Sequence, residues 1–187
     1  MSGCQGCGGC PDIFSVEYLN ARCGREGEVE FFRRADSGFP AVRLTNSFGL
    51  AEICLYGAHL LNWLPAGQQK PVVWLSEKAL FQPGKAIRGG VPVCWPWFGG
   101  CTFNRANPSH GFARISFWNV ESVAHLTDGR TALTLALTDS EASRAFWPHA
   151  FRARLTVTLG WNLEIAHETT NTDVVPWRAS AALHTYL

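Results

Sequence analysis

Phe151-Arg152-Ala153-Arg154-Leu155-Thr156-Val157-Thr158-Leu159, then Gly160-Trp161-Asn162, then Leu163-Glu164-Ile165, is the stretch whose pattern decides the fold class. Phe151, Ala153, Leu155, Val157 and Leu159 alternate with Arg152, Arg154, Thr156 and Thr158, the two-residue period of a strand with one buried and one wet face. Gly160 to Asn162 supplies turn chemistry, and Leu163 and Ile165 resume the period, so the segment predicts an antiparallel hairpin. Just upstream, Leu133, Leu135 and Leu137 oppose Thr134, Ala136 and Thr138, and the pattern closes at Asp139-Ser140. Ser140 to Arg144 predicts one helical turn with Ser140 as cap, ended by Pro148. Further back, Val42 and Leu44, then Ala51, Ile53 and Leu55, flank the turn residues Asn46-Ser47-Phe48-Gly49 and predict a second hairpin. Pro71 to Leu75, a short apolar run between breakers, is expected to be a buried strand.

Composition agrees with an all-β reading. The chain has 187 residues, 47% of them hydrophobic and 17% charged, with 18 Gly, 10 Pro and 8 Trp, which suits one turn-rich domain better than a helical bundle. Its net charge of +1, without runs of either sign, gives no field to draw nucleic acid or an anionic membrane, so a small-molecule partner is expected. No stretch approaches the roughly 18 apolar residues of a membrane span. The opening MSGCQGCGGC lacks the basic-then-apolar order of a secretory signal, so a cytoplasmic location is expected. Seven cysteines, an odd number, argue against a disulfide framework. Cys4, Cys7 and Cys10 have spacing akin to an iron–sulfur run but want a fourth ligand; free thiols are expected, with a metal or redox module as the competing reading. Residues 1–28 read as a loosely ordered Cys/Gly-rich lead-in, and residues 29–187 as the β domain.

Residues 82–114 break every period. They hold Gly84, Gly89, Gly90, Gly99, Gly100 and Gly111 with Pro83, Pro92, Pro96 and Pro108, among Arg, Trp and His. A long loop region of this kind tends to carry function. Within it stand Ile87-Arg88-Gly89-Gly90-Val91-Pro92-Val93-Cys94-Trp95-Pro96-Trp97-Phe98-Gly99 and His110-Gly111-Phe112-Ala113-Arg114, followed much later by Leu183-His184-Thr185-Tyr186. These three stretches, in this order, resemble the signature of the glucose-6-phosphate 1-epimerase branch of the aldose 1-epimerase family. Gly57-Ala58-His59-Leu60 with Trp63, Trp74-Leu75-Ser76, and Phe146 to Phe151 are softer matches. The resemblance covers roughly residues 40–187.

The resemblance implies an antiparallel β-sandwich of galactose-mutarotase type and interconversion of the α and β anomers of a hexose 6-phosphate, with no metal or organic cofactor. It implies His184 as general acid at the ring oxygen and His110 as a second histidine that orients and polarises the sugar. Arg88 and Arg114 would hold the phosphate, a task that suits guanidinium forks. It also implies a catalytic glutamate beyond the equivalent of Leu187, so the chain is expected to be an incomplete sandwich lacking its base. Plainer roles compete at each position: Arg88 could pin a loop, His184 could be a core histidine, His110 could cap a turn, and Arg114 could anchor on a backbone carbonyl. His59, His125, His149 and His167 show no partner pattern and read as structural or exposed. Trp95 and Trp97 are expected to wedge the loop onto the core. A non-catalytic carbohydrate-binding β-sandwich is the alternative from another functional class.

Overall fold

A computed structural model of the chain describes residues 12–187. Helix α1 (Val16–Cys23) leads into a meander of β1 (Val29–Arg33), β2 (Pro40–Asn46), β3 (Gly49–Cys54) and β4 (His59–Pro65), antiparallel and adjacent in chain order. The short strand β5 (Val93–Cys94) follows. A second antiparallel meander is built from β6 (Asn119–His125), β7 (Thr131–Thr138), β8 (Phe151–Leu159) and β9 (Leu163–Asn171), with helix α2 (Glu141–Phe146) between β7 and β8. The last strand, β10 (Ala182–Leu183), pairs antiparallel with β5.

The two expected hairpins form as β2–β3 and β8–β9. In β8 the side chains of Phe151, Ala153, Leu155, Val157 and Leu159 are all buried, while Arg152 is exposed. Their partners in the core come from the other sheet, chiefly Val42, Leu44, Ala51 and Ile53, so the meanders pack face to face as a sandwich. Asn46 ties the two layers together. Its Nδ2 donates to the Leu159 carbonyl at 3.1 Å and to Thr131 Oγ1 at 3.3 Å. Its Oδ1 accepts from Phe48 N–H at 2.9 Å, which shapes the β2–β3 turn. Ser140 caps α2 as expected, in a reciprocal pair with Ser143 that satisfies two backbone donors.

Two segments differ from the sequence-based expectation. Residues 12–28 are not loose: Ser15 caps α1, and Leu19 is fully buried in the main core. Asn20 then locks the helix to β1 by exchanging two hydrogen bonds with the backbone of Phe31, at 2.7 and 2.8 Å. One buried leucine and one amide are too little pattern to betray a helix in advance. Cys4, Cys7 and Cys10 lie outside the described residues, whereas Cys23, Cys54, Cys94 and Cys101 are free thiols. Pro71 to Leu75 is not a buried strand. Only Val73 is buried, Val72 and Trp74 are exposed, and the segment is held by single backbone bonds to Trp63, Gly90 and Tyr186. A short apolar run carries no period and so cannot say which sheet, if any, it joins.

Candidate active site

The loop region 82–114 is pinned down from both ends. Trp95 and Trp97 are buried, as wedges: Trp95 packs edge-on against Phe112, Trp147 and Phe151, with centroids 5.9, 5.5 and 4.7 Å away. Trp97 Nε1 donates to the Pro108 carbonyl at 2.9 Å. Residue 111 runs beside Trp95 in a parallel bridge. It must be glycine, because its φ is +73° and a Cβ there would sit 1.9 Å from the Trp95 carbonyl oxygen. The segment from His110 to Arg114 is thereby laid directly on the aromatic floor of the core.

His110 stands at the edge of that floor. Its backbone and Gly99 form a reciprocal clamp: His110 N–H donates to the Gly99 carbonyl at 2.6 Å, and Gly99 N–H donates to His110 Nδ1 at 3.2 Å. An N–H donor at Nδ1 leaves the proton of the neutral ring on Nε2. Partial burial lowers the pKa of His110, and the charges of Arg114 and His184 lower it further. The neutral Nε2–H form therefore dominates at neutral pH.

His184 arrives on the partner strand. Pairing of Ala182 with Cys94 and Leu183 with Val93 continues as His184 N–H to the Pro92 carbonyl at 3.1 Å and Tyr186 N–H to the Gly90 carbonyl at 3.0 Å. His184 and Tyr186 fall on one face by strand alternation, and their rings stack at 4.9 Å. The His110 and His184 rings lie nearly perpendicular with centroids 6.3 Å apart, and Phe98 contacts both, at 4.8 and 6.5 Å. One small ring could touch both imidazoles. Phe98 and Tyr186, which shape this pair, carried no role in the sequence reading; for Tyr186 its strand-alternate spacing from His184 was the available signal.

The arginines are less symmetric. Arg88 is exposed, and its guanidinium makes no hydrogen bond or ion pair among the described residues. Its backbone is fixed nonetheless: Ser76 N–H donates to the Arg88 carbonyl at 3.2 Å, two residues from the Gly90–Tyr186 bond. Arg114 is half-buried and donates from Nη2 to the Ser109 carbonyl at 2.7 Å, the anchoring role. It remains near enough to His110 to influence its ionisation. The structure thus brings His110, His184 and Arg114 together and sets Arg88 on the adjoining turn. No carboxylate contacts His110 or His184 among the described residues; the histidine–carboxylate pairs are His125 with Glu28 at 3.1 Å and His149 with Asp173 at 3.3 Å.

Comparison with known proteins identifies the family and the fold. Residues 40–187 match the family described as Aldose 1-epimerase. An Escherichia coli K12 protein named "Putative glucose-6-phosphate 1-epimerase" is 46% identical over 136 residues, covering 73% of this chain and 44% of that protein. The chain spans about half the length of the relatives it matches. The crystal structure of a "putative mutarotase" from Salmonella typhimurium superposes with a TM-score of 0.70 at 38% identity, covering 76% of this chain and 47% of that one. A galactose mutarotase-like protein from Clostridium acetobutylicum shares the fold at a TM-score of 0.62 and 14% identity, covering 78% of this chain and 49% of that one. With its β-sandwich, its matched residues 40–187 and these relatives, the chain belongs to the aldose 1-epimerase family.

Proposed function

We propose that the chain carries the acid and phosphate-holding part of a hexose-6-phosphate 1-epimerase site, with glucose 6-phosphate or a related hexose 6-phosphate as substrate. The reading rests on one observation above all, the approach of His110 and His184 to 6.3 Å on one rim of the sandwich. His184, exposed and facing that rim, protonates the ring oxygen as the bond from it to the anomeric carbon breaks. His110 donates from Nε2 and holds a sugar hydroxyl in line. Arg88 takes the phosphate through its free guanidinium, and Arg114, tied to Ser109, adds positive field behind it. A base must take the proton of the anomeric hydroxyl as the ring opens, and the free aldehyde recloses on either face once that proton is returned. No carboxylate of the described residues stands in that place. General-base catalysis is worth about 10²- to 10⁴-fold, so a site without that base is expected to bind far better than it turns over. A charged sugar phosphate and the free thiols Cys54, Cys94 and Cys101 suit a cytoplasmic reaction.

That no carboxylate of the described residues contacts His110 or His184 gives ground to the second reading, a carbohydrate-binding sandwich without turnover. Two-dimensional NMR exchange between the anomers of glucose 6-phosphate separates the two. It would be run on this chain and on a version extended at its C-terminus by the remaining segment of a full-length relative such as the Escherichia coli protein. Faster exchange with the extended version, lost in His184→Ala, supports the epimerase; binding without any acceleration leaves the carbohydrate-binding reading. In either case Arg88→Ala should erase the preference for phosphorylated over plain glucose.

A further inference from the structure

Behind the turn that carries Arg88 sits His59, the first residue of β4, at 0% exposure. Its Nε2 is 2.7 Å from the carbonyl oxygen of Gly89. A carbonyl only accepts, so Nε2 bears the proton and Nδ1 keeps a lone pair. That Nδ1 is buried without a partner among the described residues. An unsatisfied buried acceptor is destabilising, and an apolar side chain would fill the same space without it. The imidazole therefore has to be explained by what its other nitrogen does.

What it holds is the two-glycine turn that follows Arg88. Gly89 and Gly90 have φ values of +97° and +60°, open to many conformations because neither has a Cβ. Backbone bonds tie this turn to Trp74, Ser76 and Tyr186, and Val91 N–H, just after it, donates to the Leu60 carbonyl of β4 at 3.0 Å. His59 is the side-chain tie from the core. The contact is tight: a Cβ on Gly90 would lie 2.8 Å from His59 Nε2 and 2.2 Å from the Leu60 carbonyl oxygen. Burial, with the nearby Arg114 charge, depresses the His59 pKa to about 4, so the ring stays neutral and keeps one tautomer.

We propose that His59 is a positioning residue for phosphate recognition: its Nε2–H fixes the Gly89 carbonyl and thereby sets Arg88 in register with the segment that bears His184. The inference rests on the reading of Arg88 as the phosphate ligand. It acts through the backbone and gives His59 no contact with substrate.

Glutamine and asparagine separate this role from mere filling of space. His59→Gln places an amide N–H near the position of Nε2, whereas His59→Asn places it near Nδ1, out of reach of Gly89. Glucose 6-phosphate binding would be followed by ³¹P NMR, and plain glucose by saturation transfer. Loss of one hydrogen bond to a buried carbonyl predicts about tenfold weaker glucose 6-phosphate binding in His59→Asn, with glucose binding unchanged. His59→Gln should stay within about twofold of the parent. In His59→Asn alone, the amides of Gly90 and Tyr186 should exchange faster, while that of Val157 in β8 is unaffected. Equal behaviour of the two variants, or equal loss of both sugars, overturns the proposal. Should the parent chain bind no glucose 6-phosphate, the epimerase reading fails, and the Gly90 and Tyr186 exchange rates still decide whether His59 fixes the turn.

Discussion

Replacing Gly111 with alanine tests whether the histidine-bearing segment really lies against the core. Two costs are expected. The first is conformational: a φ of +73° puts an L-residue in the left-handed region, at about 1–2 kcal/mol. The second is steric. The new methyl would meet the carbonyl oxygen and carbon of Trp95 at 1.9 and 2.3 Å and the nitrogen of Pro96 at 2.7 Å. These are backbone atoms next to an indole wedged among Phe112, Trp147 and Phe151, so nothing flexible can give way. Overpacking of this kind costs a further ~1–3 kcal/mol. Gly99→Ala is the matched control, since Gly99 has a φ of +81° and no atom within 4 Å of its would-be Cβ. The unfolded-state gain from replacing glycine is common to both and cancels. Urea melts followed by tryptophan fluorescence should therefore place Gly111→Ala about 1–3 kcal/mol below Gly99→Ala, a sizeable part of a stability near 5–15 kcal/mol. Equal stabilities would refute the close approach, and with it the account of how His110 is held over the aromatic floor.

Acid stability gives a second test. The His59 pKa of about 4, against 6.5 for an unperturbed ring, means that its neutral form contributes fully above about pH 6.5 and that this contribution is lost as pH falls toward 4. The loss amounts to on the order of 3 kcal/mol, and His59→Gln should remove that part of the pH slope, as read from denaturant midpoints at each pH. NMR titration should give His110 a midpoint below that of a free imidazole; Arg114→Met should raise it, because one of the charges opposing protonation is gone. Finally, among the described residues β9 pairs only with β8 and presents a long edge, so concentration-dependent self-association is expected by sedimentation. Ala166→Lys on its exposed face should reduce it, and a monomer at all concentrations would contradict the expectation.

How much of this could be read from the chain depends on how far each feature reaches. The strand β8 was legible because its period of two is set locally by which face is buried, and the Ser140 cap because its partner is three residues away. Strands β5 and β10 were not, being two residues each and defined only by pairing with one another across nearly ninety residues of chain. The site segments were found through their motif, not through any period. His59 was read only as structural or exposed, and its tie could not be foreseen: its partner is a backbone carbonyl thirty residues on, and a carbonyl leaves no mark in the sequence. Arg114 shows the reverse case, in which the residue was singled out but its hydrogen bond to Ser109 matches the plainer role of anchor.

The two histidines of the rim are not interchangeable, and the difference follows from their supports. His110 is held at both ends by Gly99, with Nδ1 occupied as an acceptor, so its ring cannot rotate without breaking that bond. It is also pushed toward neutrality by burial, by Arg114 and by His184. A ring fixed in direction and kept neutral is a good hydrogen-bond donor and a poor source of protons. His184 is exposed, with only stacking on Tyr186 and a tilted approach to Phe98 to orient it, and its ring nitrogens make no hydrogen bond among the described residues. Proton delivery requires a ring that can exchange its proton with solvent and turn toward a reacting oxygen, which is why the proposed reaction gives the acid role to His184 and the donor role to His110.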